Sequence, residues 1–193
     1  MMIEPPLEAV AVALARAMET LRKARGLTQE QVALAARMAR TQYSDLAGAK
    51  RDTRFLTVRT VLIGLDVEWT GFGRTLERID PLPMRYATST RRLRDMPRPE
   101  RPKRPYDDGL VGVAIVVRSF REGLCLGAQE AFAYRNGFDR GLVGNVERAE
   151  RTIGFNMVRR FAVALGLTWV EFFDALDVVD RLADARTRTG KRK

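Results

Sequence analysis

The chain repeats itself. Displaced by 100 residues, the segment 29–72 falls on 129–172 without a gap, and identical pairs recur along it. They include Gln29/Gln129, Glu30/Glu130, Ala33/Ala133, Arg40/Arg140, Arg51/Arg151, Phe55/Phe155, Val58/Val158, Arg59/Arg159, Leu65/Leu165, Trp69/Trp169 and Phe72/Phe172. Both tryptophans of the protein sit in this shared register. Other pairs exchange one apolar residue for another: Val32/Phe132, Met38/Phe138, Tyr43/Val143, Leu46/Val146, Val61/Phe161, Ile63/Val163 and Val67/Leu167. A fixed-period self-similarity of this kind is the mark of a duplicated structural unit. The chain is therefore expected to fold as two copies of one module.

The pattern inside each copy is helical. Leu7, Val10, Leu14, Met18 and Leu21 recur at three or four residues, one face of a long helix. Pro5 and Pro6 precede it, where proline is tolerated, and Gly26 is placed to end it. Thr28 to Gln31 reads as a capping box opening a short second helix. A turn near residues 37–39 leads to a third helix over 40–47, and a fourth covers 55–64. In the second copy Gly137 marks the same turn, and Thr168 to Glu171 is another capping box. It starts a last helix that carries Trp169, Phe172, Phe173, Leu176, Val179 and Leu182 near one face. That face is longer than one small module needs, so it is expected to dock on the first copy or on a second chain as a homodimer. The valine-rich run 110–117 fits either a strand or a helix.

Between the copies the sequence changes character. Pro81, Pro83, Pro97, Pro99, Pro102 and Pro105 interrupt any long helix, and Arg98, Arg101, Lys103 and Arg104 interleave with them. The expected organisation is a first domain over 5–73, a basic proline-rich linker over 74–108, a second domain over 109–185 and a basic tail over 186–193. A flexible linker of this size has an end-to-end distance of about 30–35 Å, close to the ~34 Å between successive major-groove faces of a duplex.

Composition narrows the chemistry. The 193 residues contain no histidine and one cysteine, Cys125. Histidine-based acid–base catalysis, histidine-ligated metal, internal disulfides and cysteine zinc sites are thereby excluded. No paired catalytic carboxylate spacing or phosphate-binding glycine motif is present, so an enzyme is not expected, and no cofactor is called for. The N-terminus has no basic segment of a signal peptide and no apolar run approaches the ~20 residues that span a bilayer, so a cytoplasmic protein with no membrane contact is expected. The net charge is +10, from 34 basic and 24 acidic residues. Residues 71–109 and 179–193 carry +4 each, residues 1–70 carry +2 and residues 110–178 are neutral. Charge concentrated in the linker and tail suits a polyanionic partner.

The segments LRKARGLTQEQVALAARMARTQY and GFDRGLVGNVERAERTIGFNMVRRFAVALGLTWVEFF resemble the Cro and phage-repressor, or XRE-type, helix-turn-helix family. The likeness covers about residues 8–72 and 112–173. It implies an all-α fold: two lambda-repressor-like bundles of about five helices, the third helix of each entering the major groove of double-stranded DNA. It places Gln29 and Gln129 at the phosphate-contacting start of the second helix, beside the Thr28 cap. Arg40, Thr41, Ser44 and Asp45 fall on the base-facing side of the third helix. Their counterparts are Arg140, Gly141, Gly144 and Asn145. Lys50, Arg51, Arg148 and Arg151 follow that helix as candidate phosphate contacts. The chemistry suits these positions, since arginine reads guanine, asparagine reads adenine, and aspartate accepts from cytosine.

This chain also departs from the family. Arg37 replaces the turn glycine, and Ala47 replaces a buried glutamate that the second copy keeps as Glu147, with Arg121 as its expected partner. Arg22, the matching arginine of the first copy, is left without that partner and available to phosphate. Gly141 and Gly144 weaken the second copy's third helix by about 1 kcal/mol each relative to alanine. The leading expectation is a sequence-specific DNA-binding transcriptional regulator. The alternative is a protein-interaction module, antitoxin- or antiactivator-like, in which one or both copies bind a protein partner.

Overall fold

The computed structural model describes residues 6–83 and 108–190, with side chains over 6–83 and 109–182. Ten helices and no strand are found among the described residues. The first half holds α1 (Leu7–Ala24), α2 (Gln29–Ala35), α3 (Arg40–Ala47), α4 (Phe55–Gly64) and α5 (Trp69–Ile79). The second repeats the order as α6 (Asp108–Gly123), α7 (Gln129–Arg135), α8 (Leu142–Glu147), α9 (Phe155–Leu165) and α10 (Trp169–Gly190). The run 110–117 is helical, inside α6. Its valines face the core: Val111, Val113, Val116 and Val117 are buried. Burial on a packed helix overrides their strand propensity.

Both capping boxes form. Thr28 Oγ1 accepts from the Gln31 amide at 3.2 Å while Gln31 Oε1 accepts from the Thr28 amide at 2.8 Å. Thr168 and Glu171 repeat the exchange at 3.1 and 2.8 Å. Left-handed residues terminate equivalent helices in the two halves, with glycine at one copy and another residue at its counterpart: Arg37 (φ 50°) against Gly137 (φ 66°), and Asp66 (φ 52°) against Gly166 (φ 71°). A side chain in this conformation costs about 1–2 kcal/mol that glycine avoids. Arg37 is exposed. Arg37→Gly is therefore expected to stabilise the protein by about 1 kcal/mol, read as a raised midpoint of thermal unfolding; a lowered midpoint would contradict it.

The expected boundaries shift. Residues 74–79 belong to α5 rather than to a linker, and Leu82 beyond it is buried. Pro97, Pro99, Pro102 and Pro105 lie outside the described residues. The backbone of α10 continues past 185 to Gly190.

The two halves share one continuous apolar core. They are joined directly rather than as separate bundles on a tether. Much of the junction is reciprocal, with a contact in one half matched by its image 100 residues away. Phe55 N donates to Ile153 O at 3.0 Å and Phe155 N to Thr53 O at 2.8 Å, around an antiparallel bridge between Arg54 and Gly154. The first amide of α5, Trp69 N, donates to Asp177 at 3.2 Å; that of α10, Trp169 N, donates to Glu77 at 2.7 Å. The indole of Trp69 donates to the Asp180 carboxylate at 3.2 Å, and that of Trp169 to the Asp80 carbonyl at 2.9 Å. Arg59 pairs with Asp180 at 3.3 Å and Arg159 with Asp80 at 2.9 Å. An arrangement in which i meets j and j meets i is that of an isologous, two-fold interface. Helix α5 packs on α10, α4 on α6, and α9 on α1.

Aromatic rings fill the centre of this junction. Phe55, Trp69, Phe173, Trp169 and Phe155 stack in that order, with successive centroids 5.0, 5.3, 5.6 and 5.3 Å apart. Phe173 occupies the middle of the stack, and here the symmetry breaks, because its counterpart is Gly73. A Cβ at Gly73 would lie 2.9 Å from Trp169 O and 3.0 Å from the Phe173 Cβ. One large ring and one hydrogen thus share a place that two identical residues could not fill together. The apolar face of α10, with Trp169, Phe172, Phe173 and Leu176 buried, is covered by α5 of the first half and α6 of its own; Val179 is half-buried and Leu182 at its end is exposed.

Candidate nucleic-acid interface

In the first half, α3 stands on the surface on the side away from Tyr43 and Leu46, which anchor it in the core. Arg40, Thr41, Gln42 and Ser44 are exposed on it. Arg40 makes no ion pair among the described residues. Gln42, which the sequence reading passed over, shares this surface, and its Oε1 accepts from the Ala39 amide at 3.3 Å. Thr28 is exposed and Gln29 half-exposed at the start of α2, beside this row in the chain's capped turn.

Asp45, Lys50 and Arg51 form one cluster. Lys50 Nζ lies 2.8 Å and Arg51 Nη2 3.1 Å from the Asp45 carboxylate. The hydrogen bond from Lys50 holds that carboxyl below its usual range. The charge of Asp45 is thereby offset by two cations, while Lys50 and Arg51, the candidate phosphate contacts, are partly engaged by it.

Arg22 requires a correction. It is not left without a carboxylate, because Glu19, one turn earlier on α1, pairs with it at 2.6 Å. Arg22 also donates to the Leu27 carbonyl. Tyr43 Oη donates to Glu19 at 3.3 Å. The Arg22 hydrogen bond lowers the Glu19 carboxyl below its ordinary range, and burial raises the Tyr43 hydroxyl above its own. The carboxylate lost at Ala47 has been replaced from the first helix, and Arg22 is half-buried under it rather than turned to solvent. Its signal in the sequence is the three-residue spacing of Glu19 and Arg22 on one helix face.

The second half differs. The expected pair forms: Arg121 Nε lies 2.6 Å and Nη2 3.0 Å from Glu147, with side chains 7% and 1% exposed. The neighbouring Glu147 holds the Arg121 guanidinium above its ordinary pKa. Gln129 Nε2 donates to the same carboxylate at 2.6 Å, so Gln129 is tied inward rather than displayed for phosphate. Helix α8 begins at Leu142, so Arg140 and Gly141 sit on the turn before it and not on the helix. Glycine at 141 removes the support that Thr41 gives α3. Arg140 is exposed and pairs with Glu130 at 3.0 Å. Asn145 Oδ1 accepts from Arg148 at 2.7 Å, and Arg148 pairs with Glu150 at 2.8 Å. Gly144, unlike Ser44, is buried, beneath Arg148 and Gln129. Arg151 is exposed with no ion pair among the described residues.

The two equivalent surfaces are therefore unequal. One displays a helix row, Arg40, Thr41, Gln42 and Ser44, with open donors; the other engages Arg140, Asn145, Arg148 and Gln129 with neighbouring groups. Among the described residues no His, Cys, Asp or Glu group could hold a metal ion, and no helix is long and apolar enough to cross a membrane. Comparison with known proteins finds no family, no curated relative and no solved structure that matches this chain.

Proposed function

We propose that the chain is a sequence-specific double-stranded DNA-binding transcriptional regulator, built from two lambda-repressor-like helix-turn-helix modules. The observation that carries this reading is the surface of α3. A short helix, anchored by Tyr43 and Leu46, holds Arg40, Thr41, Gln42 and Ser44 out to solvent after a capped α2 and a tight left-handed turn. A recognition helix needs this combination of rigid seating and open donors. The order of five helices, repeated in both halves, supports the same reading, as does a net charge of +10. An exposed, lone Cys125 suits a reducing cytoplasm.

Arg40 is assigned the strongest base contact. Arg40→Ala is expected to cost about 1–3 kcal/mol of binding and to relax preference at one base pair. Arg140→Ala is expected to cost less, because Arg140 must first leave Glu130. The measurement is selection of bound fragments from random duplex DNA with each variant. Unchanged preference in Arg40→Ala would contradict the assignment.

The second half supports a second reading for itself alone. Its paired polar groups and neutral balance over 110–178 suit a surface that positions the chain, or that meets a protein, more than one that reads bases.

A further inference from the structure

We infer that the DNA this chain takes consists of two unequal half-sites in inverted orientation, held at a single spacing. The inference rests on the DNA-binding reading above and adds the architecture of the site.

A tandem repeat in one chain suggests, by itself, two modules following one another along DNA as direct repeats, at whatever spacing the intervening segment reaches. The junction between the halves points elsewhere. Backbone bonds 55–153 and 155–53, the crossed caps Trp69–Asp177 and Trp169–Glu77, and the ion pairs Arg59–Asp180 and Arg159–Asp80 are all reciprocal. Reciprocity relates the halves by a rotation of about half a turn, not by a translation. A half-turn that carries one reading helix onto the other along a common duplex coincides with a dyad of that duplex. The dyad reverses strand polarity, so the half-sites are inverted.

The spacing is fixed by the same contacts. The two halves share one buried core and a stack of five rings, so α3 and α8 move as parts of one body. The half-sites are unequal because α3 displays Arg40, Thr41, Gln42 and Ser44, where α8 has Gly141 at its start, a buried Gly144 and an Asn145 engaged by Arg148. Gly73 opposite Phe173 makes the asymmetry structural. The interface accepts one copy of each half, so the unequal pair cannot be exchanged for two equal halves without a clash or a cavity.

The inversion is hidden in the native site, since unequal halves do not make a palindrome. It is exposed by making the halves read more nearly alike, Leu142 being kept because it is buried where Gln42 is exposed. A variant carrying Gly141→Thr, Gly144→Ser, Asn145→Asp, Arg148→Gly and Glu150→Lys gives the second half the first half's residues at those positions. Selection from random duplex DNA with this variant is expected to return an inverted repeat; a direct repeat would overturn the inference. The wild-type chain supplies an independent measurement should the variant not fold. On its selected site, inserting a half turn or a full turn of duplex between the half-sites is expected to lower affinity at least about 10²-fold, the gain of joined over separate binding. Tolerance of the full-turn insertion, with tight specific binding retained, would overturn the inference and leave the DNA-binding reading standing. Protection of one half-site only would do the same. Failure of the wild-type chain to prefer any duplex would overturn both.

Discussion

Phe173→Ala is expected to destabilise the protein by about 3–5 kcal/mol and to separate the unfolding of the two halves. Truncating a fully buried phenylalanine removes its transfer free energy and leaves a cavity that the surroundings fill only in part. Collapse is especially restricted here. Phe173 lies between Trp69 and Trp169 in the ring stack and also meets Phe72 edge-on at 5.0 Å. Opposite it stands Gly73, with no side chain to move into the gap. The polar ring around the stack, with its crossed helix caps, depends on α5 and α10 staying in contact. Once that contact loosens, each half retains its own inner packing but loses its cap. Calorimetry should then show two transitions, or one broadened transition, in place of a single cooperative one. A single sharp transition with an unchanged midpoint would show that the stack does not join the halves.

Glu147→Ala is expected to cost about 3–5 kcal/mol as well, by a different cause. The substitution takes from the buried guanidinium of Arg121 its two bonds to Glu147, leaving it the half-exposed Glu122 at 3.2 Å and the Gly127 carbonyl at 2.8 Å, and strips Gln129 of its acceptor. A buried charge deprived of its buried partner costs more than the pair contributed, and Glu122, open to water, compensates only in part. The exposed pair of the same half gives the contrast. Glu130→Ala removes the partner of Arg140, where both side chains are open to water, and should change stability by no more than about 1 kcal/mol. Denaturant titration of both variants distinguishes them. Equal, small losses would mean that Arg121 finds another partner or reaches solvent.

Local signals in the sequence corresponded closely to local structure. The capping threonines Thr28 and Thr168 announce α2 and α10, and the apolar spacing from Phe55 marks α4 to its observed end at Gly64. The Arg121–Glu147 pair was legible through the family resemblance because both residues survive in the second copy. Less legible was whatever depended on a partner elsewhere. The valines of 110–117 look alike on a strand or on a helix buried on several sides, and only their neighbours decide. Glu77, Asp80, Asp177 and Asp180 read as ordinary surface charges of two helices; their function as caps and ion-pair partners exists only once the halves meet. The partner of Arg22 is hidden from a comparison of the copies because it stands on its own helix, at Glu19, and not on the third, where Ala47 lies. Arg140 lies off α8 because glycine at 141 delays the helix start, an effect that residue matching between the copies does not convey.

Sequence-specific recognition of duplex DNA, as proposed above, is tested by competition at physiological salt. The intact chain, bound to a duplex recovered by selection, is titrated with that same duplex and separately with bulk DNA. The selected duplex is expected to compete at least about 10³-fold better, with affinity for both falling steeply as salt is raised. Equal competition by the two, at any salt concentration, would contradict it.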